Sequence, residues 1–229
     1  GWLGANMYAN FGPLLALLVQ RFRHGPTAEV LSLFAAQRTT AMLWNTAVMV
    51  AGGTAIALAA GAALGLVVSF TDLPGRSLIS ALVWLPLILP SYVVALSWAA
   101  LFEKNGLLDR AFGVLGVPWP DGSVYGLSGM TVVMGLTHYP LVYLFVIRAA
   151  RRVPEALYTA ARASGARPLR AFLLIVLLLL RPALAAGGAL AFLAALDNFG
   201  IPAFLGIPAN VPVLSTYIYE QIAGFGPSA

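Results

Sequence analysis

Ionisable side chains inside the apolar stretches of this sequence are few, and they stand apart from one another. His138 lies in THYPLVY, Arg181 lies in LLLLRPALAAGG, and Asp197 and Asn198 follow a long apolar run. A histidine in such a stretch can relay protons or bind a ligand, but no carboxylate lies near His138 in sequence. We therefore expect a hydrogen-bonded structural histidine, and we expect Arg181 to extend toward a polar interface.

The motifs of the common catalytic sites are missing from the sequence. It has no P-loop, no GxSxG or HExxH motif, and no paired carboxylates within the apolar runs. Zero cysteines exclude a disulfide, a thiolate metal site and a thiol nucleophile. We therefore predict a protein that is not an enzyme, with no catalytic residue, no metal site and no cofactor in this chain.

The composition is that of a membrane protein. The chain has 229 residues, of which 60% are hydrophobic and 9% are charged, whereas soluble domains are about 45–50% apolar and about 25% charged. Long uniform apolar runs favour helices over the alternating strands of a membrane barrel. The predicted fold class is all-α, a polytopic membrane helix bundle.

Four apolar runs approach the roughly 20 helical residues that a bilayer span requires. They cover about residues 43–70, 78–102, 127–147 and 172–196. Asn45 and Thr46 are a plausible cap for the first of these helices.

The remaining segments are divided accordingly. Residues 1–42 are predicted to form an external N-terminal segment that precedes a core of residues 43–229. Residues 197–229 are predicted to form an outer loop, because prolines interrupt them too often for a span. An amphipathic stretch lies near residues 217–222.

The basic residues predict the orientation. Seven of them lie in the loops after the first and third runs, namely Arg76, Arg148, Arg151, Arg152, Arg162, Arg167 and Arg170. Lys104 and Arg110 lie in the loop between the second and third runs. The seven-arginine side is therefore cytoplasmic, and topology rather than nucleic-acid binding accounts for the net charge of +5.

Small residues and prolines indicate how two of the spans pack. Gly61 and Gly65 lie four residues apart in the first run, a spacing that allows close helix packing. Pro86 and Pro90 lie four apart in LPLILPSYVVALSW and predict a bent helix. Such a helix either lines a path or contains a static kink.

The segment RRVPEALYTAARASGARPLR, residues 151–170, is basic and lies between two apolar runs. Pro154 suits the first position of a short helix, and Gly165 is placed to end that helix in a left-handed conformation. Ala156, Ala160 and Ala163 then share one face. This helix either docks on a partner or packs on its own bundle.

This segment resembles the EAA motif of the permease subunits of binding-protein-dependent ABC importers. The matching positions are Ala160, Ala161, Gly165, Ile175 and Leu177. The motif's leading glutamate is replaced by Thr159, with Glu155 one turn earlier, and its proline is replaced by Leu178. Further similarity extends over about residues 43–226, and LPLILPSYVVALSW and LDNFGIPAFLG are most like the ferric-iron branch.

The resemblance implies an ATP-driven importer permease of the type I kind, and against that pattern we expect this sequence to lack complete first and last spans. Residues 154–165 would be the coupling helix, with these residues at the ATPase: Glu155, Ala156, Leu157, Tyr158, Thr159, Ala160, Ala161 and Gly165. A possible pathway or gate would include Pro86, Pro90, Tyr92, Asp197 and Asn198.

The implied partners are a cytoplasmic ABC ATPase dimer that holds ATP and magnesium, an extracytoplasmic solute-binding protein, and the lipid bilayer. A second permease half would pair with this one, either as an identical copy or as a fused homologous half. The implied location is multi-pass, in the bacterial or archaeal plasma membrane.

Three other functions are weighed against this one. A secondary transporter is disfavoured because the spans contain few ionisable groups. A membrane scaffold would use the basic loop to hold a cytoplasmic partner or anionic lipid. An embedded enzyme lacks any catalytic set.

Overall fold

The computed structural model describes residues 37–102, 106–114 and 124–222. Within these ranges the regular elements are all helical, so the predicted all-α membrane bundle is confirmed. The helices are α1 (Gln37–Phe70), α2 (Arg76–Leu82), α3 (Leu85–Ile88), α4 (Ser91–Phe102), α5 (Leu107–Val114), α6 (Leu127–Ala150), α7 (Glu155–Ala163), α8 (Pro168–Ala171), a π-helical segment (Phe172–Leu177), α9 (Leu178–Asp197), α10 (Gly200–Leu205) and α11 (Leu214–Ile222).

Several predictions fall outside the described residues. These are most of the N-terminal segment, Lys104, and the last part of the outer loop, residues 223–229. The chain divides into two units after Met42, and the following description concerns the second unit.

Among the described residues three helices are long and apolar enough to cross a membrane, with spans at Thr39–Phe70, Leu127–Ala150 and Leu174–Asp197. A span of 24 residues rises about 36 Å, which exceeds the roughly 30 Å hydrocarbon core. These runs form helices because lipid offers backbone groups no hydrogen-bond partner, and a helix satisfies them internally.

The run at 78–102 is broken rather than simply bent. The helices of residues 76–88 and the helix α4 meet at 106°. Leu89 between them is extended, with φ −76° and ψ 136°, because a residue that precedes proline is disfavoured in the helical region. Pro90 therefore produces a sharp corner in this run. The sequence predicted a bent helix, so the change of direction is larger than predicted.

Helix α6 lies at the centre of the bundle. In the most apolar 18-residue stretch of α6, 56% of the residues are buried, whereas the figure is 28% in each of the other two long helices. A Cβ atom at Gly61 of α1 would lie 2.5 Å from the carbonyl oxygen of Tyr139 and 2.7 Å from Cβ of Val142. One at Gly187 of α9 would lie 2.9 Å from Cα of Val142. Both neighbouring helices thus approach the α6 backbone at glycine.

The buried polar side chains of α6 bond to its own backbone. Nδ1 of His138 lies 2.8 Å from the carbonyl oxygen of Met134, and the hydroxyl of Thr137 donates to the carbonyl of Val133 at 2.7 Å. The predicted hydrogen bond of His138 is therefore confirmed. Arg181 of α9 is exposed.

The predicted helix cap at Asn45 and Thr46 is wrong. Helix α1 begins at Gln37, so both residues lie inside it. The Asn45 amide donates to the carbonyl of Pro212 at 3.0 Å, and the Thr46 hydroxyl accepts the N–H of Leu214 at 2.9 Å. These side chains therefore bind the loop that precedes α11.

We expect Gly61→Leu to destabilise the bundle, because its side chain must displace the α6 backbone. Overpacking of a filled core costs about 1–3 kcal/mol. SDS-induced unfolding followed by helical ellipticity measures the loss. Ala63→Leu is the matched control, since Ala63 lies on the exposed side of the same helix. Equal destabilisation by the two variants would contradict the proposed close packing.

Candidate functional site

The basic segment after α6 folds as a short exposed helix between two spans. Helix α7 begins at Glu155, and Pro154 just precedes it with φ −69° and ψ 125°. Pro154 is therefore the residue before the helix rather than its first residue. Its fixed φ and missing N–H suit this boundary, where the first N–H groups have no helical partner.

The end of α7 is set by Gly165, as the sequence predicts. Gly165 has φ +85°, its N–H donates to the carbonyl of Arg162, and the N–H of Ala166 donates to the carbonyl of Ala161. This pair of bonds is the Schellman motif. A left-handed conformation costs a residue with a side chain about 1–2 kcal/mol, so glycine is favoured here.

The predicted coupling residues share this helix and are largely open to solvent. Ala156, Thr159 and Ala160 are exposed, Leu157 is 46% exposed, and Tyr158 and Ala161 are partly buried. The Thr159 hydroxyl donates to the carbonyl of Ala156 at 3.0 Å. The side chain of Glu155 lies outside the described residues, so its predicted compensation for Thr159 stays a prediction.

Exposed arginines surround α7. They precede it, close it and follow it, at Arg151, Arg152, Arg162, Arg167 and Arg170. Arg162 stabilises the turn at Gly165, because its Nη1 donates to the carbonyl of Ala166 at 2.8 Å. This surface therefore combines a smooth alanine face, one exposed leucine and positive charge, which suits a partner with an acidic rim.

A second candidate site lies at the opposite end of α9. A cavity of about 540 Å³ is lined by Ser91 and Tyr92 at the start of α4, by Asp197 and Asn198 at the end of α9, and by Phe199 and Phe204. The structure thus brings together three of the predicted pathway residues, Tyr92, Asp197 and Asn198. Pro86 and Pro90 do not line this cavity.

Two local features hold the cavity wall in place. Oδ1 of Asn198 accepts the N–H of Ile201 at 3.1 Å, which satisfies a free donor at the start of α10. A Cβ atom at Gly200 would clash with the Ser91 hydroxyl and lie 2.8 Å from the Tyr92 nitrogen. Glycine therefore allows α10 to meet the first turn of α4.

The chemistry of this cavity is simple. Asp197 is exposed and is the one charged side chain among the lining residues. Across the described residues no cluster of three metal-ligating side chains is found. The cavity can therefore attract a cation or accept hydrogen bonds, and the rings of Tyr92 and Phe204, 6.1 Å apart, give it an apolar wall.

Sequence reasoning missed the contributions of Phe199, Gly200 and Phe204 to this cavity. These residues lie close to Asp197 in sequence, which could have suggested their involvement. The sequence does not reveal the turn after Asn198 that brings them to α4. It also missed the π-helical segment Phe172–Leu177 at the start of the last span.

Comparison with known proteins places these features in a family. Residues 53–226 match the family described as "Binding-protein-dependent transport system inner membrane component". A Salmonella choleraesuis protein named as a 2-aminoethylphosphonate transport system permease, PhnU, is 30% identical over 215 residues, covering 90% of this chain and 74% of that protein.

Two further relatives have other names. The sulfate transport system permease protein CysT of Salmonella typhimurium is 35% identical over 158 residues, 66% of this chain and 54% of that protein. The ferric transport system permease protein FbpB of Actinobacillus pleuropneumoniae is 29% identical over 144 residues, 61% of this chain and 20% of that protein. The ferric branch is therefore not singled out.

The family match covers most of the chain and includes the broken span, α6, α7 and α9. The apolar helices agree with an inner-membrane protein. The chain belongs to the family of inner membrane components of binding-protein-dependent transport systems, and it is a multi-pass protein of the bacterial plasma membrane.

Proposed function

We propose that this chain is the solute-conducting permease of an ATP-driven importer, and that α7 is its contact with a cytoplasmic ATPase. The observation that carries the proposal is the exposed helix α7, held between α6 and the last span and ended by Gly165 in a left-handed conformation. Leu157 on this helix is 46% exposed and would supply an apolar contact for the ATPase.

The other partners follow from the same proposal. ATP and magnesium would bind the partner ATPase, because this sequence has no P-loop. A second permease half would complete the pathway, as a second copy or a fused homologue. An external solute-binding protein would dock on the outer end, where Ile207, Pro208 and Asn210 are exposed.

The outer cavity would be part of the solute pathway. Its single carboxylate, Asp197, without a cationic lining residue, favours a cationic solute through simple electrostatics. Ferric iron is the candidate that the resemblance of LDNFGIPAFLG suggests.

An anionic solute is the second candidate. Relatives that align over more of this chain carry the names of 2-aminoethylphosphonate and sulfate systems. For such a solute Asp197 would repel rather than attract, so the two candidates predict opposite effects of removing this charge.

We expect Gly165→Val to uncouple the importer. Apart from Gly165 and its chain neighbours, no atom lies within 4 Å of a Cβ at this position, so the change acts through φ, which a β-branched residue strongly resists. Solute uptake and solute-stimulated ATP hydrolysis in proteoliposomes of the complete importer should both fall about tenfold or more, which corresponds to roughly 1.4 kcal/mol.

Two controls isolate the role of the helix end. Gly165→Asn should retain most uptake, because asparagine tolerates the left-handed conformation. Gly75→Val imposes the same strain at φ +77° in the loop before α2 and should leave ATPase coupling intact. Normal uptake by a well-inserted Gly165→Val protein would contradict the coupling role, and uptake driven by an ion gradient without ATP would favour the secondary-transporter alternative.

We expect Asp197→Asn to lower uptake of a cationic solute about fivefold. A unit charge about 4 Å away contributes roughly 1 kcal/mol even in water, and this attraction is lost. Initial rates of radiolabelled ferric iron, 2-aminoethylphosphonate and sulfate uptake at low ionic strength are compared in the complete importer.

Two variants are matched to this change. Asp197→Glu keeps the charge and should keep the rate, while Asp72→Asn removes a carboxylate from the loop after α1 and should have no effect. Unchanged or faster uptake of an anion by Asp197→Asn, with no ferric uptake by the parent protein, would reject the cationic solute and support the second candidate.

A further inference from the structure

A second polar cavity lies at the other end of the bundle, where α1 and α6 end and α2 begins. Its volume is about 470 Å³, within the range of about 300–1,000 Å³ that is typical of small-ligand sites. Its polar wall consists of two arginines and three serines, namely Arg76, Arg151, Ser69, Ser77 and Ser80. Val68 and Ile147 supply an apolar wall.

The two arginines come from different loops, yet they face one space. Arg76 opens α2 and Arg151 follows α6. Within the part of the chain that the structure describes, neither guanidinium has an ion-pair or hydrogen-bond partner, and Asp72 in the same loop pairs with neither of them. Two guanidiniums that line one cavity can both bind a phosphate group, each through paired hydrogen bonds to its oxygens.

The serines extend this donor set. The Ser80 hydroxyl lies 2.8 Å from the hydroxyl of Tyr143, which fixes its position. The Ser69 hydroxyl oxygen is buried and has no hydrogen-bond partner, although buried polar groups are usually paired. A phosphate oxygen in the cavity would be an acceptor for this hydroxyl once the Ser69 side chain rotates toward the cavity.

The position of the cavity favours a lipid headgroup as the source of a phosphate bound there. It lies where two membrane spans end, at the level of lipid headgroups, on the side that the arginine distribution marks as cytoplasmic. Basic pockets between spans on this side suit anionic lipid headgroups. We propose that this cavity binds the phosphate of an anionic glycerophospholipid, with Arg76 and Arg151 as its charged ligands and with the serine hydroxyls as donors.

The proposal is tested by lipid retention. The full chain is purified in detergent with equal amounts of phosphatidylglycerol and phosphatidylcholine, and its bound lipid is counted by native mass spectrometry. We expect the parent protein to retain one phosphatidylglycerol in preference to phosphatidylcholine. Arg76→Gln/Arg151→Gln should weaken that retention about tenfold, because charge-assisted hydrogen bonds are lost.

Arg167→Gln/Arg170→Gln removes the same charge from exposed positions outside the cavity and should retain lipid normally. Ser69→Ala/Ser77→Ala keeps both arginines and should weaken retention several-fold, which keeps the test valid if the arginine variant fails to fold. Equal loss in the exposed-arginine control, equal retention of phosphatidylcholine, or displacement of the lipid by millimolar inorganic phosphate would each overturn the proposal. The last outcome would assign the cavity to free phosphate.

Discussion

The close approach of α1 and α9 to the backbone of α6 is the contact on which the rest of the structure depends. In a bilayer, lipid tails are as apolar as leucine, so helices associate through packing rather than through exclusion of water. Glycine at Gly61, Gly135 and Gly187 removes the atoms that would hold the backbones apart. These contacts lie in the middle of α6, between Gly135 and Val142. Arg151 and α7 follow one end of this helix. At the other end the Gly126 N–H donates to the carbonyl of Leu205 at 2.9 Å.

The irregular backbone of this protein is confined to places where a particular residue requires or satisfies it. Leu89 is extended because Pro90 follows it. Gly165 takes a positive φ that closes α7, and the side chain of Asn198 accepts the N–H of Ile201 in the first turn of α10. Each break lies next to a proposed functional surface, which fits the rule that non-helical backbone near a membrane is tolerated only where protein or water satisfies it.

The features that the sequence predicted are those that depend on local composition. The length of the apolar runs predicted the long helices, and the placement of the arginines predicted which loops lie at the same end of the bundle. Gly165 predicted the end of α7 because a left-handed conformation depends mainly on the type of that one residue. Asn45 and Thr46 failed as a cap because their partners lie 167 and 168 residues away in sequence. Likewise, the cavity that joins Ser69, Arg76 and Arg151 depends on how three elements pack, and no short motif encodes that arrangement.

The path of the chain shows how the two ends of the bundle are connected. From Pro168 to Asp197 the backbone is helical without interruption, through α8, the π-helical segment and α9. Under the proposed function this continuous helix joins the bend at Gly165 to the carboxylate of Asp197 in the outer cavity. Its wider π-helical turns, at Phe172–Leu177, lie on the α7 side, and π-helical turns often occur at functional sites. Because α9 is held against α6 at Gly187, a displacement of α7 can reach the outer cavity in two ways. It can move α9 and α6 together, or it can change the conformation of the π-helical turns. Only a change in the π-helical turns leaves the packing of α9 on α6 unchanged.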